Sequence, residues 1–148
     1  MAITADRLYQ SVAGATERAD GLAAAGNTIY KGSLLVWASG LLEPGSDAVG
    51  KTFAGVALRN NSPSFGPTAV TLATDRLEYE TGKLWIPDAA AAQTDVGQLL
   101  YVADNGSLVL TGASVKKVIA GRCIDYKEED GQKWRLLDTT DTAATTGA

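Results

Sequence analysis

The sequence predicts an all-β protein, a single compact barrel-like domain, on three observations. Its 148 residues match one domain and suffice to bury a core without disulfide staples. Short runs rich in Val, Ile, Leu, Tyr and Trp recur at roughly 8–12-residue spacing, the pattern of a sandwich or barrel. Sixteen glycines and four prolines punctuate those runs, and no strand-helix alternation appears.

In chain order the runs are Leu34–Trp37, Phe53–Leu58, Ala69–Ala73, Leu77–Tyr79, Lys83–Ile86, Leu99–Val102, Ser107–Leu110, Val118–Tyr126 and Lys133–Leu137. Two hairpins are marked. Asn105-Gly106 falls between two apolar runs, and that dipeptide tolerates the positive φ of a tight primed turn. The acidic segment Lys127–Gln132 joins the last two runs. Its carboxylates lack the spacing of a calcium loop, so it reads as a solvated turn. Beyond it, Lys133 and Arg135 alternate with Trp134 and Leu136, which predicts one wet face and one buried face.

The ends differ from the middle, and the chain divides into an arm at 1–25, a β-barrel domain at 26–137 and a tail at 138–148. The arm is Ala-rich, with Leu8, Tyr9 and Val12 as its larger apolar residues. It leaves room for a short helix at Ala5–Ala13, and the glycines after it argue for an extended segment. The tail carries no large apolar residue and is expected to be flexible when free.

Thirteen Lys+Arg against seventeen Asp+Glu give a net charge of −4. The longest basic run is Lys116-Lys117, too little to neutralise phosphates, so no nucleic-acid partner is expected. The chain has one cysteine and no histidine. Histidine-dependent hydrolases and ordinary zinc sites are excluded. No metal or cofactor is expected. With no basic or apolar leader and no run near the ~20 residues of a membrane span, the expectation is a protein made in the cytoplasm with no membrane partner.

One enzyme-like motif matches in full. Gly45-Ser46-Asp47-Ala48-Val49-Gly50-Lys51-Thr52 fits G-x-x-x-x-G-K-[ST], the loop whose amides and lysine cradle nucleotide phosphates. That chemistry needs a parallel strand before the loop and a helix after it. Here Gly40–Pro44 is short and ends in proline, and Phe53–Pro63 has an early glycine and a two-asparagine turn. The octapeptide is therefore expected to be a surface loop. A P-loop recombination protein using Gly45–Thr52 is the alternative from a different class.

Weaker candidates have plain structural readings. Glu78 and Glu80 share a strand face near Asp75 and could in principle do acid/base work, but exposed strand charges explain them. Cys123 lies in an apolar strand, which predicts a buried, inert thiol. Trp37, Trp85 and Trp134 fall in separate strands and suit core or interface packing better than a sugar-stacking platform.

The order Ile29–Val36, then Val49-Gly50-Lys51-Thr52-Phe53-Ala54-Gly55-Val56-Ala57, then Thr94–Leu108, closed by Gly121 and the last hairpin, resembles small tailed-phage head proteins. These are the capsid decoration or cement proteins, some of them labelled recombinase-like. The resemblance covers roughly Gly26 to Leu137 and implies a compact β-barrel or β-tulip-like fold on the outer surface of the mature capsid. It implies a non-enzymatic role, stabilising the shell against internal DNA pressure. The implied partners are the major capsid protein and further copies of the chain, a homotrimer before a dimer. Gly50 and Gly55 would then shape a turn and strand, with Lys51 incidental. Ile3, Leu8 and Tyr9 of the arm, with Trp85, are the expected capsid or subunit contacts.

Overall fold

The computed structural model describes residues 2–24, 27–59, 68–70, 76–114 and 117–142. Its strands are β1 (Gln10–Leu22), β2 (Asn27–Ile29), β3 (Leu34–Ala38), β4 (Leu41–Pro44), β5 (Thr52–Arg59), β6 (Thr68–Val70), β7 (Arg76–Pro87), β8 (Leu99–Val102), β9 (Leu108–Val109), β10 (Ile119–Glu129) and β11 (Gln132–Asp138). Helical structure among the described residues is limited to 3-10 turns at Gln93–Asp95 and Thr111–Ala113. The protein is all-β.

One sheet runs β4-β3-β5-β7-β11-β10-β8-β9, with β1 added on β7; β2 and β6 form a small second sheet. The hub is β7. Tyr79 and Glu80 pair with both β1 and β5, whereas Leu84 and Trp85 pair with both β1 and β11. A strand has two edges, so β5 and β11 succeed one another along the edge opposite β1. The handover falls at Gly82, whose φ is 111°. A Cβ there would stand 2.2 Å from the Ala15 carbonyl oxygen, and only glycine fits such an approach. The sheet thus splits into two wings that curl into a half-barrel.

The main core fills the curl. Leu34, Val36 and Val56 of one wing meet Leu84, Ile86, Leu100, Val102, Cys123 and Leu137. Each fully buried Leu or Ile contributes about 1.5–3 kcal/mol of transfer free energy. A second cluster of Ile29, Leu35, Leu42, Ala57 and Leu77 packs on the other face, with Trp37 and Tyr79 edge-to-face at 5.9 Å. Leu34 and Val36 enter one cluster and Leu35 the other. Burial on both faces is why that run is continuously apolar rather than alternating.

Several expectations change. The runs Leu77–Tyr79 and Lys83–Ile86 are one strand, because Glu80 is buried and Gly82 lets β1 pass close. Arg135 is 4% exposed rather than on a wet face; β11 lies between β7 and β10 and both its faces are covered. Asn105 and Gly106 do not take positive φ. Their loop is closed by Ala103 N–H to the Ser107 carbonyl (3.0 Å) and by Gly106 N–H to Asp104 Oδ1 (2.8 Å). The tight primed turn is instead Asp130-Gly131, at φ 51° and 77°, so most of the acidic segment is strand.

No helix forms at Ala5–Ala13, and residues 10–22 of the arm are strand β1, laddered onto β7. Hydrogen bonds from β7 residues set this: a paired extended segment satisfies backbone groups that Gly14 and Gly21 would leave fraying in a helix. The tail is also tied down at its start. Asp138 closes β11, Thr139 N–H donates to the Gly82 carbonyl (2.9 Å), and Arg122 bonds Asp141 (2.9 Å). Residues 143–148, like residues 71–73 of the run that starts at Ala69, Asp75, the Asn60-Asn61 turn and Lys116, lie outside the described residues.

Candidate functional site

The Walker-like octapeptide links β4 to β5, and both strands pair antiparallel with β3. A strand follows the loop where a phosphate site requires a helix N-terminus. Gly45 N–H donates to the Leu34 carbonyl (2.8 Å), and a Cβ there would lie 2.8 Å from the Asp104 carbonyl oxygen. Gly50, at φ 78°, makes the turn. Lys51 donates to Glu43 Oε1. The glycines and the lysine of the motif therefore serve close packing, a turn and a local ion pair.

The N-terminal residues singled out by sequence are distributed along one anchored segment. Ile3 is half-buried; its N–H donates to Asn105 Oδ1 (2.9 Å) and its carbonyl accepts from Asn105 Nδ2 (3.1 Å). Arg7 turns inward, donating from Nε to the Gly32 carbonyl (3.0 Å) and from Nη1 to the Gly106 carbonyl (2.7 Å). Burial lowers the Arg7 pKa against the charges of Asp88 and Asp104, which raise it. Tyr9 packs on the main core and its hydroxyl donates to Glu80 Oε1 (2.7 Å). Burial first, then Glu80, pushes the Tyr9 phenol well above its usual range. Leu8, between these two anchors, is 75% exposed.

Glu80 is the buried carboxylate of the sheet, 1% exposed, where an exposed strand charge was expected. Beside Tyr9, Ser11 donates its hydroxyl at 2.6 Å. Burial works to raise this carboxyl; hydrogen bonds from Ser11, Tyr9 and Thr16 and the charge of Arg18 outweigh it, so it sits below the ordinary value. A carboxylate so engaged fastens Tyr9 and the start of β1 onto β7.

A second buried charge cluster lies under β11. Arg135 donates from Nε to Asp95 (2.8 Å) and from Nη1 to the Leu108 carbonyl (2.8 Å), with Asp88 at 3.3 Å. Asp95 also accepts from Ala92 N–H (2.9 Å), which pins the 3-10 turn. These residues escaped sequence reading because nothing local distinguishes them; the one available signal was a lone Arg flanked by apolar residues.

Trp85 is half-buried, with Lys127 Nζ 4.6 Å above its ring and 5.6 Å from the Trp134 ring. Lys127 also donates to Gln10 Oε1 (2.8 Å). The structure brings Trp85 next to the strand that follows Leu8 and Tyr9, while Ile3 sits apart on the β8–β9 loop. Cys123 is buried, and burial pushes its thiol up to about 11, where a nucleophilic thiolate is scarce. Among the described residues no cluster of three or more His, Cys, Asp or Glu could hold a metal, and no helix is long and apolar enough to cross a membrane.

No protein-family model matches the chain, and no curated protein matches it.

Proposed function

We propose that this chain is a non-enzymatic virion protein that binds the outer surface of a mature tailed-phage capsid, contacts the major capsid protein and stabilises the shell as a symmetric oligomer. The resemblance over residues 26–137 supplies the class. The observation that carries the contact is Leu8. Arg7 and Tyr9 are fastened inward by hydrogen bonds, so the leucine between them stands 75% exposed on a fixed backbone. An apolar knob presented this way binds without the entropy cost of ordering a loose arm. The half-buried Trp85 beneath Lys127 pairs with Gln10, two residues past Leu8, and suits the rim of such a contact. Symmetric clustering would multiply a small contact into avidity.

Co-sedimentation of the purified chain with expanded mature shells and with unexpanded precursor shells tests the reading. Saturable binding to the mature shell alone is expected, and Leu8→Asp is expected to weaken it at least tenfold while leaving the fold intact. Binding to neither shell overturns the proposal.

A further inference from the structure

We infer that the free edge of β1 is a twofold pairing surface for a second copy of this chain. Two other sheet ends are occupied. Ala23 bridges to Leu42 and Ala24 N–H donates to the Leu42 carbonyl, which covers β4. At the far end β9 is two residues long and Arg135 takes the Leu108 carbonyl. By contrast β1 runs 13 residues and ladders with β7 along one edge; beyond the Ala23–Leu42 bridge just past its last residue, no other strand pairs with it among the described residues. Residues 17–20 are exposed in succession. Long unpaired edges of this kind are templates for another strand.

The sequence of the edge selects the occupant. After the irregularity between Ser11 and Thr16, the ladder is regular from Thr16 to Leu22, and its midpoint is Ala19. An antiparallel twofold through the sheet normal must centre on a residue. Centres on Glu17, Arg18 or Asp20 would each set one charge against itself. Centred on Ala19, Arg18 faces Asp20 of the second copy, twice over, and alanine faces alanine. Asp20 sits opposite Glu78 in the β1–β7 ladder and is paired with Arg76 (2.6 Å), so Arg18 of the second copy joins a surface cluster of two carboxylates and one guanidinium and balances its charge. An open cleft of about 520 Å³ lined by Arg18, Ala19, Asp20 and Glu78 lies at this place. The register that uses the whole regular segment is thus also the one with complementary charge, as isologous contacts require.

This inference stands apart from the capsid reading and puts the dimer ahead of the trimer. Sedimentation equilibrium of the full chain is expected to give twice its 15.4 kDa mass, with Arg18→Asp and Asp20→Arg each shifting it to monomer. The double exchange Arg18→Asp/Asp20→Arg, made with Arg76→Glu so that position 20 keeps an opposite charge beside it, is expected to restore the dimer. Cross-linking keeps the test independent of any fold defect in those variants. Ala19→Cys places two thiols face to face, about 4.5–5.5 Å apart at Cβ, and is expected to oxidise to a disulfide dimer. Glu17→Cys, about 14 Å from its copy at roughly 3.4 Å per residue along and about 4.8 Å across the strands, is not. A monomer at every concentration, a trimer, or Ala19→Cys cross-linking no faster than Glu17→Cys would each overturn the proposal.

Discussion

Strands β1 and β11 flank the same stretch of β7, Leu84–Trp85, and are held there by opposite means. Four consecutive residues of β11, Trp134 to Leu137, are buried, and its one buried charge is paired with Asp95. In β1 the single buried residue is Gly21, packed under Trp37. What fastens β1 is its ladder and the hydroxyls of Tyr9 and Ser11 on Glu80. Apolar burial ties β11 to global stability, while hydrogen bonds at a solvent edge let β1 open on its own. The half-barrel therefore has a rigid seam and a detachable one. The free edge belongs to the detachable seam, whereas Leu8 stands just before β1 on the backbone that Arg7 and Tyr9 fasten.

The severest test of that contrast is Arg135→Met. It leaves Asp95, itself 5% exposed, as an uncompensated buried carboxylate, at a cost of about 3–5 kcal/mol. A urea titration is expected to show this as a lower midpoint for the whole molecule. Replacing both charges, Arg135→Met with Asp95→Leu, is expected to recover most of the loss. A global midpoint unmoved by Arg135→Met would break the claim that this seam is the rigid one.

Acid separates the seams more gently. The folded Glu80 carboxyl titrates below its ordinary 4.5. Its contribution is therefore complete above that pH and is lost as pH falls through the folded value. Amide exchange of β1 is expected to accelerate in that acid window before exchange of β11 does. Glu80→Gln, which keeps the shape and drops the charge, is expected to remove the acid step and to cost β1 about 1–3 kcal/mol at neutral pH. Simultaneous loss of both strands on acidification would make the sheet one cooperative unit and end the comparison.

The seams also differ in how far sequence revealed them. Strands with an apolar face, β3, β5, β8 and β11, announced themselves because burial writes a run or an alternation. Strand β1 did not: it carries exposed charges on both faces, Glu17 on one and Arg18 and Asp20 on the other, and its partner was fixed by Glu80, far along the chain. For the same reason Arg135 read as surface, since its two acids come from a loop whose proximity is tertiary. The Asn105-Gly106 signal misled for a specific reason. Asn105 is engaged by Ile3 through its side chain and by Leu34 N–H through its carbonyl, and those contacts override the dipeptide's turn preference. Of the expected contacts, Leu8 was legible as one of the larger apolar residues of an Ala-rich arm. That its neighbours hold it rigid was not.

A smaller effect sharpens the account of how β1 is fastened. Tyr9→Phe removes one donor from Glu80 and keeps the ring in the core, while Ser11 and Thr16 continue to hold the carboxylate. The expected loss is about 1 kcal/mol, seen in β1 amide exchange and barely in the thermal midpoint. A full drop in midpoint would mean that Tyr9 anchors the core rather than the edge.

The smallest expected effect falls on the octapeptide, far from either seam. Lys51 and Glu43 are each about a quarter exposed, at 22% and 24%, and a pair so placed contributes about 0–1 kcal/mol. Lys51→Ala is thus expected to melt within a degree or two of the parent, as is Glu43→Ala. The same melts with Mg-ATP discriminate between the two readings of the motif. If Lys51 serves only its local carboxylate, nucleotide shifts neither parent nor variant, because no helix N-terminus backs the loop. A nucleotide-dependent rise in the parent that Lys51→Ala abolishes would mean the loop between β4 and β5 binds phosphate without that helix. The non-enzymatic reading would then give way to the recombination alternative.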